Sequence, residues 1–142
     1  EPKYWHVEPA ERTFTGPVVL LTNRLSVSAA ENFALAMRVL PHVTVVGDIT
    51  SGCFADMEWH ELSNGWRFSV AKNLFVDYAG RCWEGLGVPP DIMVRGHELE
   101  GNKDRAFELA VSLLRNGGPA LQDENGSAAA ARVSKWVPQV AL

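Results

Sequence analysis

The sequence predicts an α/β domain: a strand–helix–strand unit followed by a β-hairpin and a short meander. Three observations carry this. Val18-Val19-Leu20-Leu21 is an apolar run without alternation, the pattern of a strand covered on both faces. Phe33, Ala36, Met37 and Leu40 then recur at helical spacing until Pro41 stops the segment, which predicts a helix with one apolar stripe. Asn64-Gly65 lies between two β-like runs, residues 57–62 and 66–71, and Asn-Gly there is the strongest short hairpin signal.

Taken in order, residues 1–15 form a polar lead-in with scattered aromatics and a short edge strand expected at residues 4–7. The apolar strand breaks at Thr22-Asn23-Arg24, and small residues follow: Ser26-Val27-Ser28-Ala29-Ala30. Ser28 and Glu31 have the Ser-x-x-Glu spacing of a capping box. A hydroxyl therefore sits where a buried strand turns into a helix, beside free backbone N–H groups and the positive helix end. Ser is also a preferred N-cap, and the local pattern by itself does not separate a cap from a nucleophile. After Pro41, Val43-Thr44-Val45-Val46 is a second buried strand closed by Gly47. Short links between strand, helix and strand predict a right-handed parallel crossover. Thr50-Ser51-Gly52 is turn chemistry. Residues 73–78 extend the meander, and Ala79-Gly80 turns it back into residues 81–84. Residues 85–91 must be loop, because Pro89-Pro90 cannot pair in a central strand.

Residues 103–115 predict a second amphipathic helix, with Ala106, Leu109, Ala110, Leu113 and Leu114 as its stripe and Gly117-Gly118 as its stop. From Pro119 the composition turns to Gln, Asp, Asn, Gly, Ser and Ala, a loose tail with one helical stretch expected around residues 128–136. Residues 136–142 are apolar enough to dock on this chain or on another copy. The organisation expected is thus a lead-in (1–15), a folded body (16–118) and a tail (119–142).

Composition narrows the function. With 142 residues the chain is one domain. A net charge of −4 without a basic cluster argues against nucleic acid as the main partner. No apolar run has the length of a membrane span. The sequence starts at Glu1 rather than Met with no signal peptide in view, so its start reads as processed or truncated. Cys53 and Cys82 form neither a CxxC nor a zinc pattern and allow at most one internal disulfide. Of the histidines, His42 reads as a surface turn residue, His60 as a strand residue alternating with Trp59, and His97 as solvated; His6 lies in the lead-in. No two have helical metal-ligand spacing, so neither a metal nor another cofactor is expected. Trp59, Trp66 and Trp83 read as core or sheet-face aromatics, Asp91 as a turn cap, and Gly47 and Gly52 as turn glycines.

The pieces GPVVLLTN, SVSAAENFALAMR, VTVVGDITSG, LSNGWRFSVAKN and YAGRCWEGLGVPPDI, in that order, span residues 16–92. This ordered set resembles the catalytic core of the C-terminal processing (tail-specific) serine peptidases. It is most similar to the branch near the tricorn protease and the interphotoreceptor retinoid-binding protein. The resemblance implies a ClpP/crotonase-like α/β spiral, of which this chain would be the C-terminal part. It places the nucleophile on Ser28, with Ser26 as the competing serine of the same turn. The N–H of Ala29 becomes an oxyanion-hole donor, and Glu84 becomes the carboxylate behind the base. The lysine base of the tail-specific branch would fall on Cys53, which cannot replace it at an ordinary pKa. The tricorn-like branch uses a histidine from a segment upstream of the matched region. That points to a fragment of a longer peptidase, to a base from another polypeptide, or to a site that is dead.

Two functions follow from different classes. One is a serine endopeptidase acting on peptide or protein substrates through an acyl-enzyme on Ser28, and inactive as this piece alone. The other is a binding module of the same fold that holds an apolar ligand or peptide. Relatives of this kind are often exported in bacteria, and the sequence itself leaves the compartment open.

Overall fold

The computed structural model describes residues 3–4, 8–77, 79–95, 104–117 and 139–141. The elements run in the order β1 (Lys3–Tyr4), β2 (Val18–Thr22), α1 (Ala29–Met37), β3 (Val43–Gly47), β4 (Met57–Glu61), β5 (Arg67–Ala71), β6 (Leu74–Val76), β7 (Ile92–Met93), α2 (Arg105–Arg115) and β8 (Gln139–Ala141). The result is a mixed α/β structure in which both helices pack on the β2–β3 pair.

The strand–helix–strand unit forms as its short links dictate. β2 and β3 are parallel, with Val18 opposite Val43 and Thr22 opposite Gly47. A strand not foreseen in the sequence, β7, joins β3 in parallel at Val46 and Gly47. Asp91 starts it: its Oδ2 accepts the Val45 N–H at 2.8 Å, and its own N–H donates to the Val45 carbonyl at 2.8 Å. The expected cap is thus a clasp between the Pro-Pro loop and β3. The hairpin forms in the register its Asn-Gly turn implies, Met57 opposite Ala71 and Glu61 opposite Arg67. β6 is antiparallel to β8, which pairs in turn with β1. The return expected over residues 81–84 is a single bridge between Val76 and Cys82. The lead-in strand is Lys3–Tyr4 rather than residues 4–7, of which 5–7 lie outside the described residues. The helix expected around residues 128–136 also lies outside them.

Two burial expectations are corrected. β2 is not covered on both faces: it is half-buried, and Leu21 is 39% exposed. It is an outer strand of its three-stranded sheet, whereas β3, in the middle, is buried at every position. In α1 the face turned inward is Glu31, Ala34 and Leu35, not the stripe through Phe33, which is 54% exposed. Of the core and sheet-face alternatives, Trp59 and Trp66 take the exposed one, because among the described residues β4 and β5 pair only with each other. Trp83 alone of the three is buried, and its indole N–H donates to the buried Asp77 carboxylate at 2.9 Å.

The core that backs the site is Leu35, Phe54, Phe75, Trp83 and Val88. Phe54 is 1% exposed and sits one residue beyond the loop that meets α1. Phe54→Ala is expected to destabilise by about 3–5 kcal/mol through lost transfer energy and the cavity left behind. A urea midpoint shifted down with an unchanged slope checks this.

Candidate functional site

The chain leaves β2 at Thr22 and must reverse into α1 within six residues. Asn23 and Ser26 build the first bend. The Asn23 side chain accepts the Leu25 N–H at 2.8 Å, the Ser26 N–H donates to the Asn23 carbonyl at 2.9 Å, and the Ser26 hydroxyl accepts the Asn23 N–H at 3.1 Å. The competing serine is therefore engaged in holding the turn.

Ser28 is in a different state. It is the only non-glycine residue at positive φ among the described residues, with φ 55° and ψ −114°. Such a conformation costs roughly 1–3 kcal/mol and persists only where the surroundings impose it. Here the Ser28 N–H is drawn to two acceptors, the Cys53 carbonyl at 3.0 Å and Glu31 Oε2 at 3.1 Å. The serine side of the capping box is within reach, but the Glu31 N–H donates to the Ser28 carbonyl oxygen at 2.9 Å, and the hydroxyl makes no cap bond. Ser28 is exposed. The Ala29 N–H, the first of the helix, has no acceptor among the described residues. An uncommitted hydroxyl thus stands at the positive end of α1 beside an unpaired amide.

Glu31, expected only as the partner of a cap, is fully buried. Besides the Ser28 N–H it accepts the Thr50 hydroxyl at 2.5 Å, the Gly52 N–H at 2.6 Å and the Cys53 N–H at 2.8 Å. No local signal marks this, because the partners lie 19 to 22 residues away. The donor-rich run Thr50-Ser51-Gly52 was the one available hint. Glu84 grips the next stretch of the same loop. Its Oε2 accepts the Phe54 N–H at 3.0 Å and the Ala55 N–H at 2.9 Å. Ser28 and Glu84 are therefore anchored on adjoining residues of one segment, 53–55.

The segment carrying Glu84 is stitched to this loop along its length. Gly85 N–H donates to the Gly52 carbonyl at 2.7 Å, and Val88 N–H donates to the Thr50 hydroxyl at 2.7 Å. The backbones approach closely enough that a Cβ at Gly87, where φ is +76°, would lie 2.2 Å from the Thr50 carbonyl oxygen. Glycine at that point is a condition of the contact.

Cys53 is an exposed free thiol whose Sγ accepts the Ser51 hydroxyl at 3.5 Å. Neither described histidine makes a bond in the Ser28 turn. The His42 carbonyl accepts the Val18 N–H at 2.8 Å, and the His60 ring stacks on Phe68 with centroids 5.2 Å apart. His6 and His97 lie outside the described residues.

The sequence profile of peptidase family S41 matches residues 2–94. A candidate peptidase from Parabacteroides merdae, known from a crystal structure, is 34% identical with a TM-score of 0.68, over 85% of this chain and 37% of that one. A lipoprotein from Streptococcus agalactiae is 25% identical with a TM-score of 0.52, over 71% of this chain and 32% of that one. This chain thus spans about a third of the length of each structure.

Proposed function

Because the chain belongs to peptidase family S41, whose profile covers residues 2–94, we propose that it is the nucleophile-bearing part of a serine endopeptidase. Residues 16–118 are the C-terminal part of its catalytic domain, with β2, α1 and β3 as one turn of a ClpP/crotonase-like spiral.

Ser28 Oγ attacks the scissile carbonyl carbon of a peptide while its proton passes to a histidine supplied by a segment outside this chain. The oxygen of the tetrahedral intermediate faces the Ala29 N–H. Collapse expels the amine, which takes the proton back from the histidine, and water then hydrolyses the acyl-enzyme. Preorganised donors at the developing oxyanion are worth about 3–4 kcal/mol of barrier in other proteases. Glu84 supports the base through Oε1, since Oε2 is engaged with the amides of Phe54 and Ala55.

The observation that carries this reading is the Ser28 backbone: a positive φ in a non-glycine residue, an exposed hydroxyl without a cap bond, and an unpaired amide next to it. The intact protein that carries this chain is expected to react with a fluorophosphonate probe, and peptide mapping to place the adduct on Ser28. An adduct on another serine would rule out this nucleophile. The 142-residue chain alone is expected to show no measurable proteolysis; robust turnover lost in His6→Ala would overturn an external base.

The second reading, a module holding an apolar ligand, draws on Trp59, Trp66 and Phe68, all exposed on the hairpin. Apolar binding without probe labelling would favour it.

A further inference from the structure

We propose that Glu31 is a positioning residue of the reaction: its buried carboxylate sets the backbone of Ser28 and locks it to the amides of Gly52 and Cys53. This rests on the reading of Ser28 as nucleophile.

In a capping box the side chain at the third helical position makes one bond, back to the cap residue's amide. Glu31 makes that bond and three more, all to a loop on the far side of the turn. The arrangement closes a small ring. Glu31 Oε2 accepts the N–H of both Ser28 and Cys53, and the Cys53 carbonyl accepts the same Ser28 N–H. Ser28 therefore cannot relax from its positive φ without breaking two bonds and shifting Cys53. Oε1 extends the lock to the Thr50 hydroxyl and the Gly52 amide, and the Thr50 oxygen accepts the Val88 N–H from the segment that carries Glu84.

The two carboxylates divide four consecutive amides between them. Gly52 and Cys53 donate to Glu31, and Phe54 and Ala55 donate to Glu84. The loop between nucleophile and supporting carboxylate is thus held along its whole backbone by acid side chains. A buried negative charge one turn from the nucleophile would oppose an oxyanion if left bare. Four donors turned onto it answer that charge locally, while the Ala29 amide stays open toward substrate. The local role of Glu31 is orientation: hydroxyl and oxyanion donor keep one fixed relation, and substrate binding is not involved.

The test compares the intact protein with Glu31→Gln and Glu31→Asp. Gln keeps the shape but turns an NH2 group toward the donors; Asp keeps the charge but shortens the reach. Two readouts are taken: amide deuterium exchange at residues 52–55, and fluorophosphonate kinetics at Ser28 resolved into probe binding and the acylation rate. In E31Q, exchange at Gly52 and Cys53 is expected to rise more than tenfold while Phe54 and Ala55 keep their protection. The acylation rate is expected to fall more than tenfold with probe binding within twofold, and E31D to recover part of that rate. Acylation by E31Q within twofold of the unsubstituted protein overturns this inference alone. No adduct on Ser28 in the unsubstituted protein overturns the peptidase reading and this inference with it. A loss of protection spread evenly over residues 52–55 also overturns it, since that reports unfolding of the loop rather than release of one carboxylate's partners.

Discussion

Ser28→Ala in the intact protein is expected to lower kcat by about a millionfold, the loss seen when a serine protease is stripped of its nucleophile. Ser26→Ala, two residues earlier, is expected to keep most of the activity, because the Ser26 hydroxyl accepts the Asn23 N–H and serves the bend alone. The contrast is the informative part. Both serines lie in one turn, but only Ser28 combines an uncommitted hydroxyl with the strained backbone and the neighbouring Ala29 amide. Turnover of a fluorogenic peptide measures both variants. Equal losses would mean that the turn as a whole, and not the Ser28 oxygen, is what matters. Undiminished turnover in Ser28→Ala would leave the scaffold without its proposed chemistry.

Glu31→Leu is expected to cost about 3–5 kcal/mol of stability, as much as Phe54→Ala. Leucine fills a similar volume and offers no acceptor. The Gly52 and Cys53 N–H groups and the Thr50 hydroxyl would lose their acceptor, and the Ser28 N–H would keep only the Cys53 carbonyl. A buried polar group left unpaired costs about 1–3 kcal/mol, so several together exceed any gain from the apolar side chain. Domains of this size have 5–15 kcal/mol in hand, roughly, so the variant stands near the limit of folding. Urea unfolding checks this, and an unshifted midpoint would show that the loop finds other partners.

Much of the architecture was legible in the chain. The unalternating runs around residues 18 and 43 gave the parallel pair, and Asn64-Gly65 gave the hairpin in register. The small residues after the first run gave the turn that presents Ser28. The ordered motifs pointed to the family whose profile matches residues 2–94. What failed concerned which way side chains face. The α1 stripe was drawn through Phe33 because apolar spacing was taken as the guide, yet the buried positions are Glu31, Ala34 and Leu35. A carboxylate at the start of an apolar helix reads as solvated unless its donors are known. Those donors arrive from a loop about twenty residues on. For the hairpin tryptophans the sequence left core and sheet face open, and the structure decides for the exposed face, because among the described residues β4 and β5 pair only with each other.

By itself, then, the sequence determined the local elements, their order, and the serine at the handover from strand to helix. Periodicity, turn chemistry and capping act within a few residues, so they can be read along the chain. Only the tertiary structure decided that Glu31 is buried, that it and Glu84 share one loop, and that Ser28 is held at positive φ. Each of those depends on hydrogen bonds between segments far apart in the chain, and such bonds exist only once the backbone has brought the segments together.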